Sequence, residues 1–149
     1  MWESADFGAR GYTSDMSMIG HRIRVLVAED NADLAFALRT LLQVEDDIDV
    51  VGVVGDAASL FETVRALDAH VVILDLNLAG GSSVPAMQSV RRERPHTGIV
   101  VYSGYDRADL ESALPALGDC ECVSKTGDVV DLIDAVRRTA QKNAAGTDH

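Results

Sequence analysis

The sequence predicts a doubly wound α/β fold on a five-stranded parallel sheet, and two observations carry that expectation. From Ile23 onward, short β-branched runs alternate five times with longer stretches of helical spacing, the pattern of βαβ units. The runs also end in chemistry. Arg24-Val25-Leu26-Val27-Ala28 stops at Glu29-Asp30, Val71-Val72-Ile73-Leu74 at Asp75, and Ile99-Val100-Val101-Tyr102 at Ser103-Gly104, while Cys120-Glu121-Cys122-Val123-Ser124 leads into Lys125. Open α/β sheets bind ligands at the carboxyl ends of their strands.

Strands are expected near 23–29, 49–54, 70–75, 98–103 and 120–124, and helices near 32–45, 57–67, 83–93, 107–116 and 128–142. Asn31 is suited to cap the first helix, which presents Leu34, Leu38, Leu41 and Leu42 on one side. The second strand, Val50-Val51-Gly52-Val53-Val54, has at its tip only Asp56, which reads as the cap of the helix at Ala57. The third ends at Asp75 and is followed by the loop-like Ala79-Gly80-Gly81-Ser82-Ser83. Asp128 is suited to cap the last helix, whose buried stripe is Val129, Leu132, Ile133 and Val136. Right-handed crossovers allow the strand order 2-1-3-4-5. The topological switch then falls between the first and third strands, and the crevice opens beside Glu29, Asp30 and Asp75.

The chain's 149 residues suffice for one domain with a proper core. Residues 1–21, rich in Gly, Ser, Asp and Met and without periodicity, read as a mobile extension, with Met16 and Met18 leaving open an upstream start codon. The domain is expected over 22–142, and 143–149 reads as a short polar tail. No apolar stretch approaches the ~20 residues that cross a bilayer, so no membrane insertion is expected. Glu3 and Asp6 occupy a start without an apolar run, which argues against a signal peptide or anchor and for a cytoplasmic location. A net charge of −11 argues against direct nucleic acid binding. Cys120 and Cys122 are two ligands at most, and His21, His70, His96 and His149 lack ligand spacing, so small buried apolar roles are expected for the cysteines in place of structural zinc.

Three clustered acids repel one another unless a cation compensates, and a hard ion such as Mg²⁺ prefers this oxygen set. Lys125 and Ser103 are suited to hold phosphoryl oxygens, the one as a point charge and the other as a hydroxyl. Attack of the Asp75 carboxylate on phosphorus would give an acyl phosphate. Each residue also has an ordinary explanation: Asp30 as a helix cap, Lys125 as a solvated charge, Ser103 as a turn residue. Asp75 resists one, because an acid abutting four apolar residues is costly without a partner. Joint placement at four strand ends favours a functional site.

The segments Val27-Ala28-Glu29-Asp30-Asn31, Ile73-Leu74-Asp75-Leu76-Asn77, Val101-Tyr102-Ser103-Gly104 and Val123-Ser124-Lys125 occur in order. Through them the chain from about Ile23 to Ala140 resembles the receiver domain of two-component response regulators, a flavodoxin-like, receiver-type fold. The resemblance implies that Asp75 is the phosphoacceptor, that Glu29 and Asp30 form the acidic pair with Asp30 on Mg²⁺ directly, and that Asn77 gives a backbone carbonyl to the metal. Ser103 and Lys125 match the family's switch hydroxyl and phosphate-binding lysine, with Gly104, Tyr105 and Cys122 as neighbours of the switch. Departures accompany the match. Ala79 and Ser83 stand where the family often has Pro and Gly, Cys122 where it usually has an aromatic ring, and Thr126 where Pro is frequent after the lysine.

The function implied is Mg²⁺-dependent phosphorylation of Asp75 by a histidine kinase or histidine phosphotransfer protein, with output through contacts to an unidentified downstream protein. Homodimerisation is a further option. The expectation is a stand-alone signalling switch, not an enzyme with a turnover substrate. The alternative is a receiver-like binding module whose output is independent of phosphate, suggested by Ala79, Ser83 and Cys122. An aspartate-nucleophile phosphatase fits less well, because it needs a second Asp where this chain has Asn77. A flavin carrier fits worse still, because Glu29-Asp30 replaces a hydroxyl- and glycine-rich phosphate loop.

Overall fold

The computed structural model describes residues 22–104 and 107–147. The main sheet consists of β1 (Ile23–Ala28), β2 (Ile48–Val54), β3 (Val71–Leu74), β6 (Gly98–Ser103) and β7 (Glu121–Ser124), all parallel in the order β2-β1-β3-β6-β7. Counted along the chain these are its first to fifth long strands, so the order is the expected 2-1-3-4-5. The helices are α1 (Ala32–Gln43), α2 (Ala57–Leu67), α3 (Val84–Glu93), α4 (Arg107–Leu117) and α5 (Val129–Thr147).

Alternation along each strand divides the core into two layers. Val25, Val27, Val71, Ile73, Val100 and Tyr102 face α1 and α5, where Leu38, Leu42, Leu132 and Val136 meet them. Leu26, Ala28, Val72, Leu74, Ile99 and Val101 face α2, α3 and α4, meeting Leu60, Val64, Met87, Val90 and Leu117. Central strands buried on both faces explain why β3 reads as an unbroken apolar run. A register shift separates Val25↔Val50 from Leu26↔Gly52. A Cβ on Gly52 would lie 2.8 Å from Leu67 Cδ1, so the backbone there passes close under α2.

Local signals set most boundaries. Asn31 Oδ1 accepts from Leu34 N at 3.1 Å and Asp56 Oδ1 from Ser59 N at 2.7 Å, two of the three expected caps. Three expectations need correction. The first helix stops at Gln43, and Leu41 is 45% exposed beside the more exposed Phe36 and Val44, because α1 packs on the sheet through the stripe of Leu34, Ala35, Leu38 and Leu42. The last helix does not stop at 142 but runs to Thr147, since Ala144 and Ala145 favour helix and no proline interrupts them. The stretch after Asp75 is not plain loop: β4 (Asn77–Leu78) and β5 (Gly81–Ser82) pair as a small antiparallel hairpin, with Gly80 and Gly81 at φ of 92° and 124°. Residues 1–21 lie outside the described residues. Among the described residues no helix is long and apolar enough to cross a membrane.

Candidate functional site

The ends of β1 and β3 bring Glu29, Asp30 and Asp75 together. One carboxylate oxygen from each lies within 4.8 Å of the others. Glu29 and Asp75 are each 4% exposed, whereas Asp30 is open to solvent. Backbone bonds of the sheet fix the two buried acids: Glu29 N donates to Val54 O and Asp75 N to Ala28 O, both at 3.0 Å. Two more N–H groups orient their side chains. Asn31 N donates to Glu29 Oε2 at 3.0 Å, and Asn77 N to Asp75 Oδ1 at 3.2 Å.

Lys125, just beyond β7, reaches back across the crevice. Its Nζ donates to Glu29 Oε1 at 2.7 Å and to Asp75 Oδ2 at 3.0 Å. Its backbone is held by Lys125 N donating to Ser103 O at 3.0 Å. Burial alone would lower the Lys125 pKa, but the bonds to Glu29 and Asp75 outweigh it and raise the pKa above the ordinary lysine value. The ammonium is therefore charged at neutral pH and offsets one of three negative charges. Two carboxylates buried side by side are costly without such a partner.

The donor set suits a hard cation. It consists of carboxylate oxygens only, close enough to converge on one ion, with Asp30 on the solvent side. Both oxygens of Glu29 and both of Asp75 already accept protein donors, whereas Asp30 is open to solvent, which leaves Asp30 the best placed of the three for direct ligation.

The remaining sequence-predicted residues distribute as follows. Ser103 is buried at the end of β6 beside the Lys125 backbone, and Gly104 is exposed, a Cβ there lying 3.8 Å from Lys125 Cδ. Tyr105 lies outside the described residues. Tyr102 points into the layer under α1 and α5, where burial raises its pKa. Cys122 is exposed and Cys120 half-buried, contrary to the buried pair expected, because β7 is an edge strand with little cover on that side. Burial raises both thiol pKa values, Cys120 to about 11, so neither is a ready thiolate.

Sequence reasoning missed the part that Ser83 plays. Its side chain is fully buried, and its hydroxyl donates to Asp75 O at 2.8 Å and lies 3.2 Å from Leu76 O. Ala79 was likewise noted only as a departure. Its N–H donates to Gly55 O and its carbonyl accepts from Ala57 N, both at 3.1 Å, an isolated parallel bridge that ties the hairpin to the start of α2.

Comparison with known proteins gives a consistent result. A family model described as the response regulator receiver domain matches residues 25–137. The protein-glutamate methylesterase/protein-glutamine glutaminase 1 of Caulobacter vibrioides is 31% identical over 123 residues, which is 81% of this chain and 36% of that protein. The nitrate/nitrite response regulator protein NarP of Escherichia coli is 28% identical over 118 residues, 79% of this chain and 55% of that protein. The chain thus spans about half or less of the length of these relatives. Among solved structures, the signal receiver domain of the putative response regulator NarL from Mycobacterium tuberculosis superposes with a TM-score of 0.74 at 23% identity, covering 81% of this chain and 98% of that one. That likeness concerns the fold.

Proposed function

We propose, from the premise that this chain belongs to the response regulator receiver domain family, that it is a phosphoacceptor switch of two-component signalling with Asp75 as the acceptor. The observation that carries this reading is the Lys125 ammonium spanning Glu29 and Asp75 at 2.7 and 3.0 Å inside a crevice of three carboxylates.

The chemistry follows from those positions. Asn77 N–H holds Asp75 Oδ1, so Oδ2 is the nucleophile that attacks phosphorus. The phosphorus–oxygen bond forms as the donor's bond to phosphorus breaks, and the leaving group departs on the opposite side. Lys125 Nζ, already bonded to Oδ2, shifts that hydrogen bond to an oxygen of the arriving phosphoryl group and stabilises the negative charge there while keeping its own proton. The Ser103 hydroxyl is the second group that holds the phosphoryl. Asp30 and Asp75, with the Asn77 carbonyl, would hold Mg²⁺ and Glu29 would support it; the ion supplies charge neutralisation at the phosphoryl oxygens. The donor is a histidine kinase or a histidine phosphotransfer protein. Output goes through protein contacts, heterologous or between two copies, and the protein acts as a switch, not as an enzyme with turnover.

Intact mass after incubation with acetyl phosphate and Mg²⁺ tests the reading on wild type and Asp75→Asn. Gain of one phosphoryl group in the wild type alone is expected. A folded wild type that gains none would overturn the proposal and favour a phosphate-independent binding module, the reading that the exposed thiol of Cys122 in place of a switch ring supports.

A further inference from the structure

We infer that Ser83 is a positioning residue for the phosphoacceptor: its buried hydroxyl fixes the peptide units on which the Asp75 carboxylate and the Asn77 backbone depend. The inference rests on the receiver reading and adds to it a residue that the family pattern does not supply, since glycine, common at this position in the resemblance noted above, has no hydroxyl.

The geometry is specific. Ser83 stands eight residues beyond Asp75, at the entry to α3, and is fully buried. Its Oγ donates to the main-chain carbonyl of Asp75 at 2.8 Å and stands 3.2 Å from that of Leu76. Its own N–H donates to Leu76 O at 2.9 Å. The peptide units 75–76 and 76–77 are therefore both oriented from one residue. The second of them carries a group that matters for the chemistry: the unit 76–77 presents the Asn77 N–H that holds Asp75 Oδ1 at 3.2 Å, and Asn77 is the first residue of β4. Ser82 completes the arrangement by accepting Val84 N on its Oγ at 3.1 Å, which fixes the start of α3 against the hairpin.

Without the Ser83 hydroxyl the carbonyl of Asp75, a residue only 4% exposed, loses a donor, and the peptide unit can rotate to find another. The carboxylate attached to the same Cα then loses its fixed direction relative to Lys125. Phosphoryl transfer needs the attacking oxygen in line with the leaving group, and small misplacements at that step are costly in rate. The link also joins the acceptor to α3 through a single side chain.

The test compares wild type, Ser83→Ala and Ile48→Val. Ser83→Ala keeps Cβ and removes only the hydroxyl; Ile48→Val trims the core at the opposite end of the sheet and controls for lost stability. Two quantities are read: the rate of phosphoryl gain from acetyl phosphate by intact mass, and the hydrogen-exchange rate of the Asn77 amide. Expected for Ser83→Ala are a rate about tenfold lower and faster Asn77 exchange, with neither change in Ile48→Val. If wild type is phosphorylated and Ser83→Ala keeps pace with it, the Ser83 assignment is overturned and the receiver reading stands. Equal slowing in both variants would also overturn it, because lost stability alone would then account for the rate. A folded wild type that gains no phosphoryl group overturns the receiver reading, and the Ser83 assignment with it.

Discussion

Replacing Asp75 with Asn is expected to make the metal-free protein more stable, although it removes a buried, ion-paired residue. The reason is the charge count at the site. Asp75 has one cation beside it, Lys125 at 3.0 Å, and two anions, Glu29 and Asp30, within 4.8 Å. At an effective dielectric near 20, two like charges no farther apart than 4.8 Å repel by at least about 3.5 kcal/mol, and this applies twice. The attraction at 3.0 Å is about 5.5 kcal/mol on the same scale. Repulsion wins by at least about 1.5 kcal/mol. The amide keeps the shape of the carboxylate, its oxygen still accepts from Asn77 N, and Lys125 retains Glu29 at 2.7 Å. Urea unfolding in chelator, followed by far-ultraviolet circular dichroism, reads the difference. Mg²⁺ should then close the gap. At ten times its dissociation constant a ligand stabilises by about 1.4 kcal/mol, and the wild type, with the fuller oxygen set, gains more than the variant. If Asp75→Asn is instead less stable by about 1 kcal/mol or more in chelator, the Lys125 attraction outweighs the cluster's repulsion and the charge argument is refuted.

Other expectations follow from the same coordinates. Arg24 N donates to His70 Nδ1 at 3.1 Å, and burial, the leading cause, holds the imidazole pKa below its ordinary 6.5. The unfolded chain therefore takes up this proton first as pH falls, so the contribution is complete above about pH 6.5 and is lost as pH drops through the folded value. Unfolding free energy should fall more steeply between about pH 7.5 and 5 in wild type than in His70→Asn, and parallel profiles would remove His70 from that role. Gly98→Ala should cost about 1–3 kcal/mol, because a Cβ there would lie 2.7 Å from Asn143 Nδ2 and closer still to the Thr139 methyl. A urea midpoint equal to that of wild type would mean that α5 can move aside. Ala79→Pro deletes the donor to Gly55 O and should cost about 1–3 kcal/mol, with faster exchange of the Ala57 amide that bonds to Ala79 O. Unchanged exchange at Ala57 would show that the bridge survives without its first bond.

Much of the fold was legible because single side chains report single physical demands. The short apolar run before Asp75, set between helical stretches, fits a strand buried on both faces, and β3 is that strand, with all four residues buried. Asn31 and Asp56 mark helix starts through a local bond that depends on no distant residue. The acid cluster was legible for a similar reason: strand ends that share a switch point must bring their next residues together, and Glu29, Asp30 and Asp75 do meet. Exposure was harder to read. Leu41 and Cys122 match apolar patterns, yet α1 packs through a narrower stripe than its composition suggests, and β7 is an edge whose cover depends on residues far along the chain.

The segment after Asp75 shows where local reading stops. Ala79-Gly80-Gly81-Ser82-Ser83 has the composition of a loop, and Ala79 and Ser83 register only as residues that differ from a pattern. Their roles are set by partners outside the segment or at its far end: Gly55 and Ala57 for Ala79, the carbonyls of Asp75 and Leu76 for Ser83. Both substitutions add a donor. Pro has no N–H to give Gly55, and Gly has no hydroxyl to give Asp75. The two positions thus bind the hairpin on opposite sides, one to the start of α2 and the other to the peptide of Asp75. A hairpin held at both ends resists rearrangement more than one held by ring and backbone geometry alone. Replacing both residues together, as Ala79→Pro with Ser83→Gly, should therefore increase amide exchange across 77–82 by more than the two single changes combined, because each anchor limits the opening that loss of the other permits. Additive effects would mean that the anchors act independently and that the hairpin does not move as a unit.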